Sequence, residues 1–449
     1  MISFSLMSPS PPALSQRKIF FFWLPLAATW LMMAVEGPFI AAVVARLPLA
    51  TYNLAAFGVA LSFALIAESP IIMLMSASTA LVSGRNSYLS LRRFTWTLNV
   101  SITLAMGAGL YPPVFQWIAY DLIHLPELVG RLTYVASILF LPWPAAIGFR
   151  RFYQGILIRS HLTRRVAYGT VVRIVTMSTT ALVLALNGVG GAYTGAAAAS
   201  VGVVCEGVAT RLMCLRVVRS LMRERAADSA DQTLSGRTIL RFYTPLAMTS
   251  LLALGVHPLV TFFLGKSRLA LESLAVLPVV NSLVFVFRSI GLSFQEVGIA
   301  LLGRNGEGYR SLRRFALTLF FAVIGGLSLI AFGPFAEIWF VSISGLNPYL
   351  ARLAILPTQL LVVLPGLTVL IAFQRAVLVK VQRTGAIIRA TAMEVVVLVL
   401  ILYGLISRLE WVGIVAAAIA YTGGRLVAVL YLARRQNHQV RRLGLHGEL

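Results

Sequence analysis

Charge is scarce in this chain of 449 residues, at 12% Asp, Glu, Lys and Arg together, against 59% hydrophobic residues and a mean hydropathy of +0.86. A surface so poor in charge excludes a water-soluble globular domain. Cysteine is scarcer still. Cys205 and Cys214 stand nine residues apart in one apolar stretch, which supports neither a disulfide framework nor a thiolate metal centre, and both read as small packing residues. Five histidines without clustering give no metal site and no cofactor is implied. No Ser/His, paired-Asp or His-Glu-x-x-His constellation occurs, so the chain does not read as an enzyme. Gly265-Lys266-Ser267 has the ending of a phosphate-binding loop, but Val260 stands where its first glycine belongs and no strand precedes it. Without a nucleotide-binding loop, any transport must draw on ion or solute gradients.

Long apolar runs, by contrast, recur along the whole chain. Each approaches or exceeds the roughly 20 residues that a helix needs to cross about 30 Å of hydrocarbon. Because a lipid-facing backbone must satisfy its own hydrogen bonds, and ten-residue alternating strands are missing, helices are the economical reading. Polar, Gly and Pro breaks divide the runs into twelve spans, near 18–44, 53–83, 94–120, 130–156, 166–187, 192–219, 238–264, 270–302, 315–340, 350–377, 385–407 and 411–433. The opening stretch to Gln16 is Ser/Pro-rich without a cleavage pattern, so the first span is expected to stay in the mature protein. Arginines concentrate in alternate connections, as at Arg92 and Arg93, Arg164 and Arg165, Arg216 to Arg225, Arg313 and Arg314, and Arg434 and Arg435. The positive-inside rule then puts both termini in the cytoplasm, in a plasma (inner) membrane. These loop arginines account for most of the net charge of +23, so nucleic acid is not needed as a partner.

Self-similarity at an offset of 220 to 221 residues is the strongest single signal. Tyr88 to Leu98, reading YLSLRRFTWTL, matches Tyr309 to Leu319, reading YRSLRRFALTL. Pro25-Leu26-Ala27 matches Pro245-Leu246-Ala247, Pro38 matches Pro258, and Gln154 matches Gln374. An even number of spans per repeat makes the two copies parallel, a plan recognised among transporters. The expected organisation is all-α: a six-helix lobe over 1–222, a cytoplasmic linker over 223–237, a second six-helix lobe over 238–434, and a basic tail over 435–449.

Ionisable groups at membrane depth are costly and normally face a cavity or a partner. Glu36 precedes the helix-loosening Gly37-Pro38, Glu68 precedes Ser69-Pro70, and His257 precedes Pro258, the repeat partner of Pro38. With Glu296, these are candidate coupling groups for a proton or sodium ion. Arg150, Arg151 and Gln154 end span four, and Gln374 and Arg375 recur in span ten. Arg288 and Gln295 lie two helical turns apart on one face of span eight. These seven are candidate substrate contacts lining a basic cavity, with ordinary snorkelling to headgroups as the competing reading of each arginine. Glu206 and Glu394 read as buried partners of a nearby arginine, such as Arg211 or Arg389.

The pattern resembles the multidrug/oligosaccharidyl-lipid/polysaccharide (MOP) exporter superfamily, and within it the progressive ankylosis (ANK) family. The stretches that carry the resemblance are Phe22 to Ala27, Leu54 to Leu61, Gln154 to Arg159 and Arg375 to Lys380. It implies two lobes about a central cavity and export of a small anion such as pyrophosphate, citrate or a nucleotide by alternating access. A proton- or sodium-coupled drug exporter, a lipid-pyrophosphate flippase and a non-transporting receptor remain open alternatives. Membrane lipids are the other implied partners.

Overall fold

An apolar solvent leaves the backbone no partner but itself, and the computed structural model of the chain is accordingly built of helices, with no named strand among the described residues. It describes residues 14–160, 162–223, 234–303, 306–380 and 385–442. The linker expected over 223–237 and the end of the basic tail fall largely outside them.

Twelve spans run in chain order. The first half holds α1 (Gln16–Ala45), α2 (Ala50–Glu68 continued by Leu74–Leu81), α3 (Arg85–Gly109), α4 (Glu127–Leu139 continued by Trp143–Arg159), α5 (Thr163–Leu186) and α6 (Gly191–Arg223). The second half holds α7 (Gly236–Leu254 continued by Val256–Gly265), α8 (Ala270–Leu301), α9 (Tyr309–Ala331), α10 (Pro348–Leu361 continued by Val363–Lys380), α11 (Gly385–Leu402) and α12 (Gly413–Arg442). All twelve expected spans coincide with these helices. Prolines set several of the breaks, because a ring in place of the N–H cannot continue the ladder. Pro112 and Pro113 thus start a short helix that leaves α3 at 69°. Among the described residues, ten segments are long and apolar enough to cross a membrane, and the bent α3 makes an eleventh. The remaining one, α6, is Ala- and Gly-rich and owes its place to packing: most of its first half is buried.

Local geometry repeats at the sequence offset. Ser15 caps α1 by accepting from the Lys18 N–H, and Ser235 caps α7 by accepting from the Thr238 N–H, both at 3.2 Å. Leu49 and Leu269 start α2 and α8 from the left-handed region, at φ 55° and 54°. Wide π-helical turns end the excursions after α3 and α9, at Trp117–Leu122 and Ile338–Ile343. Asn53 Oδ1 accepts from the Ala192 N–H at 2.9 Å, and Ser273 Oγ accepts from the Ile414 N–H at 3.1 Å. Features this far from generic helix chemistry recur only if one fold is used twice.

The two halves touch at both ends of the bundle. At the basic face, where the chain's arginine-rich connections gather, the leading helix of each half crosses to the other. Ile19, Trp23 and Ala27 of α1 pack with Phe294, Phe315 and Phe373, and Trp23 Nε1 donates to Ser293 Oγ at 2.8 Å. Their repeat partners Ile239 and Tyr243 of α7 pack into the first half, where the Tyr243 hydroxyl donates to the Pro70 carbonyl. At the opposite face Arg46 donates to the carbonyls of Ser342 and Ile343, and Gly265 passes so close to Ile123 that a Cβ would lie 2.2 Å from its carbonyl oxygen.

Glycine also sets the approach of α4 to α2. A Cβ on Gly155 would fall 1.8 Å from Ser78 Oγ and 2.4 Å from the Met75 carbonyl oxygen. The hydroxyl can swing away and the helix carbonyl cannot. Gly155→Ala is therefore expected to lower stability by about 1–3 kcal/mol, the usual cost of overpacking, and to lower the thermal-unfolding midpoint of the purified protein. An unchanged midpoint would show that the two helices are not in this contact.

Candidate functional site

Buried charge collects in two places, one in each half. In the first half, α6 passes α5 closely enough that a Cβ on Gly169 would sit 3.1 Å from Thr210 Oγ1 and 3.4 Å from Glu206 Cγ. That approach holds Glu206, with no exposed surface, at the centre of a network. Arg150 of α4 donates through Nη1 to Glu206 Oε2, and Gln154, one turn further along, donates through Nε2 to Glu206 Oε1 at 3.1 Å. Arg173 of α5 approaches Glu206 Oε2 to 3.6 Å and forks onto both oxygens of Glu36, with Nε 3.0 Å from Oε1 and Nη2 on Oε2. Four helices are thereby tied through alternating charges.

Two further candidates border this network. Glu68 accepts from Trp143 Nε1 at 2.9 Å, and Arg151 reaches Met75 Sδ at 3.7 Å while lying in the fields of Arg150, Glu68 and Glu206. The set is balanced: Glu36, Glu68 and Glu206 face Arg150, Arg151 and Arg173.

The second half has the same elements with a different sum. Gly424 lies against α11, where a Cβ would meet the Glu394 carbonyl at 2.8 Å, and the adjacent Arg425 of α12 pairs with Glu394 Oε1 at 2.8 Å. Arg375 of α10 donates through Nη2 to Thr391 Oγ1 at 3.3 Å and lies in the fields of Arg425 and Glu394. Arg288 of α8 completes the group, facing Arg425, Glu394 and Tyr421, whose hydroxyl meets Asn281. Arg288 has no hydrogen bond or ion pair among the described residues, and its Nε, like that of Arg375, is buried without a partner. Three arginines here share one carboxylate. Sign is also exchanged between the halves, since Arg173 of α5 matches Glu394 of α11 at the repeat offset, and the acid on α6 is answered by a base on α12.

Placement of the sequence candidates is therefore divided. Arg150, Arg151, Gln154, Glu36 and Glu68 gather in the first half, and Arg288 and Arg375 in the second. His257 stands apart from both, with Nδ1 3.1 Å from Ser62 Oγ where α7 meets α2. Gln295 and Glu296 have no side-chain hydrogen bond or ion pair among the described residues, and Glu296 is exposed. Gln374 leaves Arg375 behind: it points toward α9 and α12, where its Nε2 donates to the Val429 carbonyl at 3.2 Å. Glu206 and Glu394 are paired, but with Arg150, Arg173 and Arg425 rather than Arg211 or Arg389. Five residues along one helix is about 140° around it, so those neighbours in sequence face elsewhere. Arg211 instead lies over the Tyr153 ring, 4.7 Å from its centroid. Arg173 and Arg425 went unmarked in the sequence, although each stands in mid-span, which was signal enough.

No protein-family model matches the chain, and no curated protein is detectably similar to it in sequence. Its fold is nonetheless shared with solved structures. An inward-facing multidrug-resistance MATE family transporter of the MOP superfamily is 16% identical over 93% of this chain and 96% of that one, with a TM-score of 0.72. The lipid II flippase MurJ in an inward closed conformation is 12% identical over 92% and 87%, with a TM-score of 0.68. A MOP superfamily transporter from Pyrococcus furiosus, described as having a binding pocket of reverse polarity, is 14% identical over 96% and 97%, with a TM-score of 0.60. The chain thus has the fold of MOP superfamily transporters, that of an all-α polytopic membrane protein.

Removing the shared carboxylate should expose what the first-half network costs when broken. Glu206→Gln leaves Arg150 and Arg173 facing each other with reduced compensation, and is expected to destabilise the protein by about 3–5 kcal/mol. Arg150→Met combined with Glu206→Leu, which removes charge of both signs, should recover part of that loss. Thermal unfolding of the purified variants measures both; equal midpoints for wild type and Glu206→Gln would show that the network carries no stability.

Proposed function

We propose that the chain is a secondary transporter of the MOP superfamily that moves a small polyanion, captured in the second half by Arg288, Arg375 and Arg425. The observation that carries this reading is the imbalance of charge. Three arginines from three helices face Glu394 alone, whereas the first-half network sets Arg150, Arg151 and Arg173 against the equal number of carboxylates Glu36, Glu68 and Glu206. Unmatched guanidinium groups at this depth are costly unless an anion completes them. Arginine suits the role because its planar fork offers paired donors to phosphate or carboxylate oxygens and stays charged when desolvated.

The rest of the proposal follows from that site. The two halves act as lobes over 1–222 and 238–434, and exchange of the contacts at the two faces of the bundle gives alternating access. The arginine-rich face is cytoplasmic, by the positive-inside rule, and the membrane is the plasma (inner) membrane. Glu36 is the favoured coupling group for a proton or sodium ion, since it is the one carboxylate on α1, the helix that crosses between halves, and its bond to Arg173 ties that helix to its own lobe. Resemblance of the Arg375 to Lys380 stretch to the ANK family supports pyrophosphate, citrate or a nucleotide as the substrate class.

Arg375 offers the cleanest test, because it holds only Thr391 and can be removed without breaking the Arg425 to Glu394 pair. Arg375→Ala is expected to weaken anion binding by about 1.5–3 kcal/mol, the worth of a hydrogen bond to a charged group, with partial recovery in Arg375→Lys. The measurement is flux of labelled pyrophosphate, citrate, nucleotide and a cationic dye into proteoliposomes under imposed proton and sodium gradients. Dye transport that is indifferent to Arg375→Ala would replace this reading with the drug-exporter alternative.

A further inference from the structure

At the basic face a cavity of about 350 Å³ opens between α9, α10 and α12, away from both charge clusters. Its polar end is formed by Arg313, Gln374 and Asn437, and its apolar side by Leu317, Leu370 and Phe373. Gln374 is 6% exposed and its Nε2 is committed to the Val429 carbonyl, so the amide orientation is set. Its Oε1 is buried and has no hydrogen-bond partner. A buried amide oxygen left this way costs about 1–3 kcal/mol unless something donates to it.

The first half answers the same position differently. Gln154 spends its amide N–H on Glu206, and Gly155 beside it is packed against Ser78, whereas the repeated glutamine Gln374 lines a cavity and keeps an unpartnered amide oxygen. The cavity also lies where lipid meets water. Arg313 stands one turn into α9, directly after an arginine-bearing connection, while Leu317 on the next turn of the same face is 40% exposed.

We propose that this groove holds a phospholipid of the adjoining leaflet whose headgroup carries its own hydrogen-bond donor. Its phosphate lies against the Arg313 guanidinium, its ammonium or hydroxyl donates to Gln374 Oε1, and its acyl chains run along Leu317, Leu370 and Phe373. The chemistry excludes a choline headgroup, which has no N–H or O–H to give.

The test uses the purified full-length protein, with phosphatidylethanolamine, phosphatidylglycerol and phosphatidylcholine added separately. Lipid retention is read by native mass spectrometry, and the unfolding midpoint is read in parallel. Wild-type protein is expected to retain the two donor-bearing lipids about tenfold better than phosphatidylcholine, the factor that one hydrogen bond supplies. Gln374→Leu should erase that preference, and Gln374→Glu should keep phosphatidylethanolamine while losing phosphatidylglycerol. Equal retention of all three lipids by the wild type would overturn the proposal. So would a preference that survives Gln374→Leu in protein that still unfolds cooperatively, or full stabilisation by soluble glycerophosphoethanolamine, which would make the ligand a free phosphate ester rather than a lipid.

Discussion

A carboxylate with no exposed surface, held between two arginines in the middle of a membrane-type helix bundle, constrains everything around it. Glu206 has its charge and hydrogen-bond partners there only while Arg150, Arg173 and Gln154 remain in place. Their helices α4, α5 and α6 are therefore fixed against one another, and through Glu36 so is α1. Apolar side chains alone would give this bundle little orientation, since lipid tails offer them nearly equal company. Small residues let the helices come close enough for the network to form, as at Gly169, and the network then specifies the register.

The second half solves the same problem with opposite signs and fewer acids. Glu394 on α11 faces Arg425 on α12, replacing a base on α5 and an acid on α6. Duplication kept the requirement for a paired charge between the last two helices of each half, while leaving free which helix carries which sign. Because Arg288 and Arg375 converge on that pair without acids of their own, the second half carries more arginines than carboxylates at this cluster. A two-fold repeated fold thus becomes electrostatically asymmetric through a handful of side chains.

Contacts between the halves follow a different logic. At the basic face they are exchanged reciprocally, Trp23 to Ser293 and Tyr243 to Pro70, each from the leading helix of one half into the other. At the opposite face they include the long side chain of Arg46 and the glycine at 265, and between the faces α2 packs on α8, where a Cβ on Gly58 would meet Pro278 at 3.5 Å.

The division of labour between sequence and structure is itself physical. Periodic apolar runs, breaks at Gly and Pro, and the arginine-rich connections are local properties, and they were enough to place the twelve spans. Tyr88 to Leu98 against Tyr309 to Leu319 made the duplication legible without any coordinates. Cost of burial likewise marked Glu36, Glu68, Arg150, Arg288 and Arg375 as residues needing partners. Which partners they found was decided by tertiary structure alone, because the angle at which two helices cross, and the face each turns inward, depend on packing far along the chain. So Glu206 met Arg150 and Arg173 instead of Arg211, and Gln374 turned away from its neighbour Arg375 toward α9. Sequence adjacency sets distance along a helix, but a 100° turn per residue separates neighbours onto different faces, and only the assembled bundle determines what each face meets.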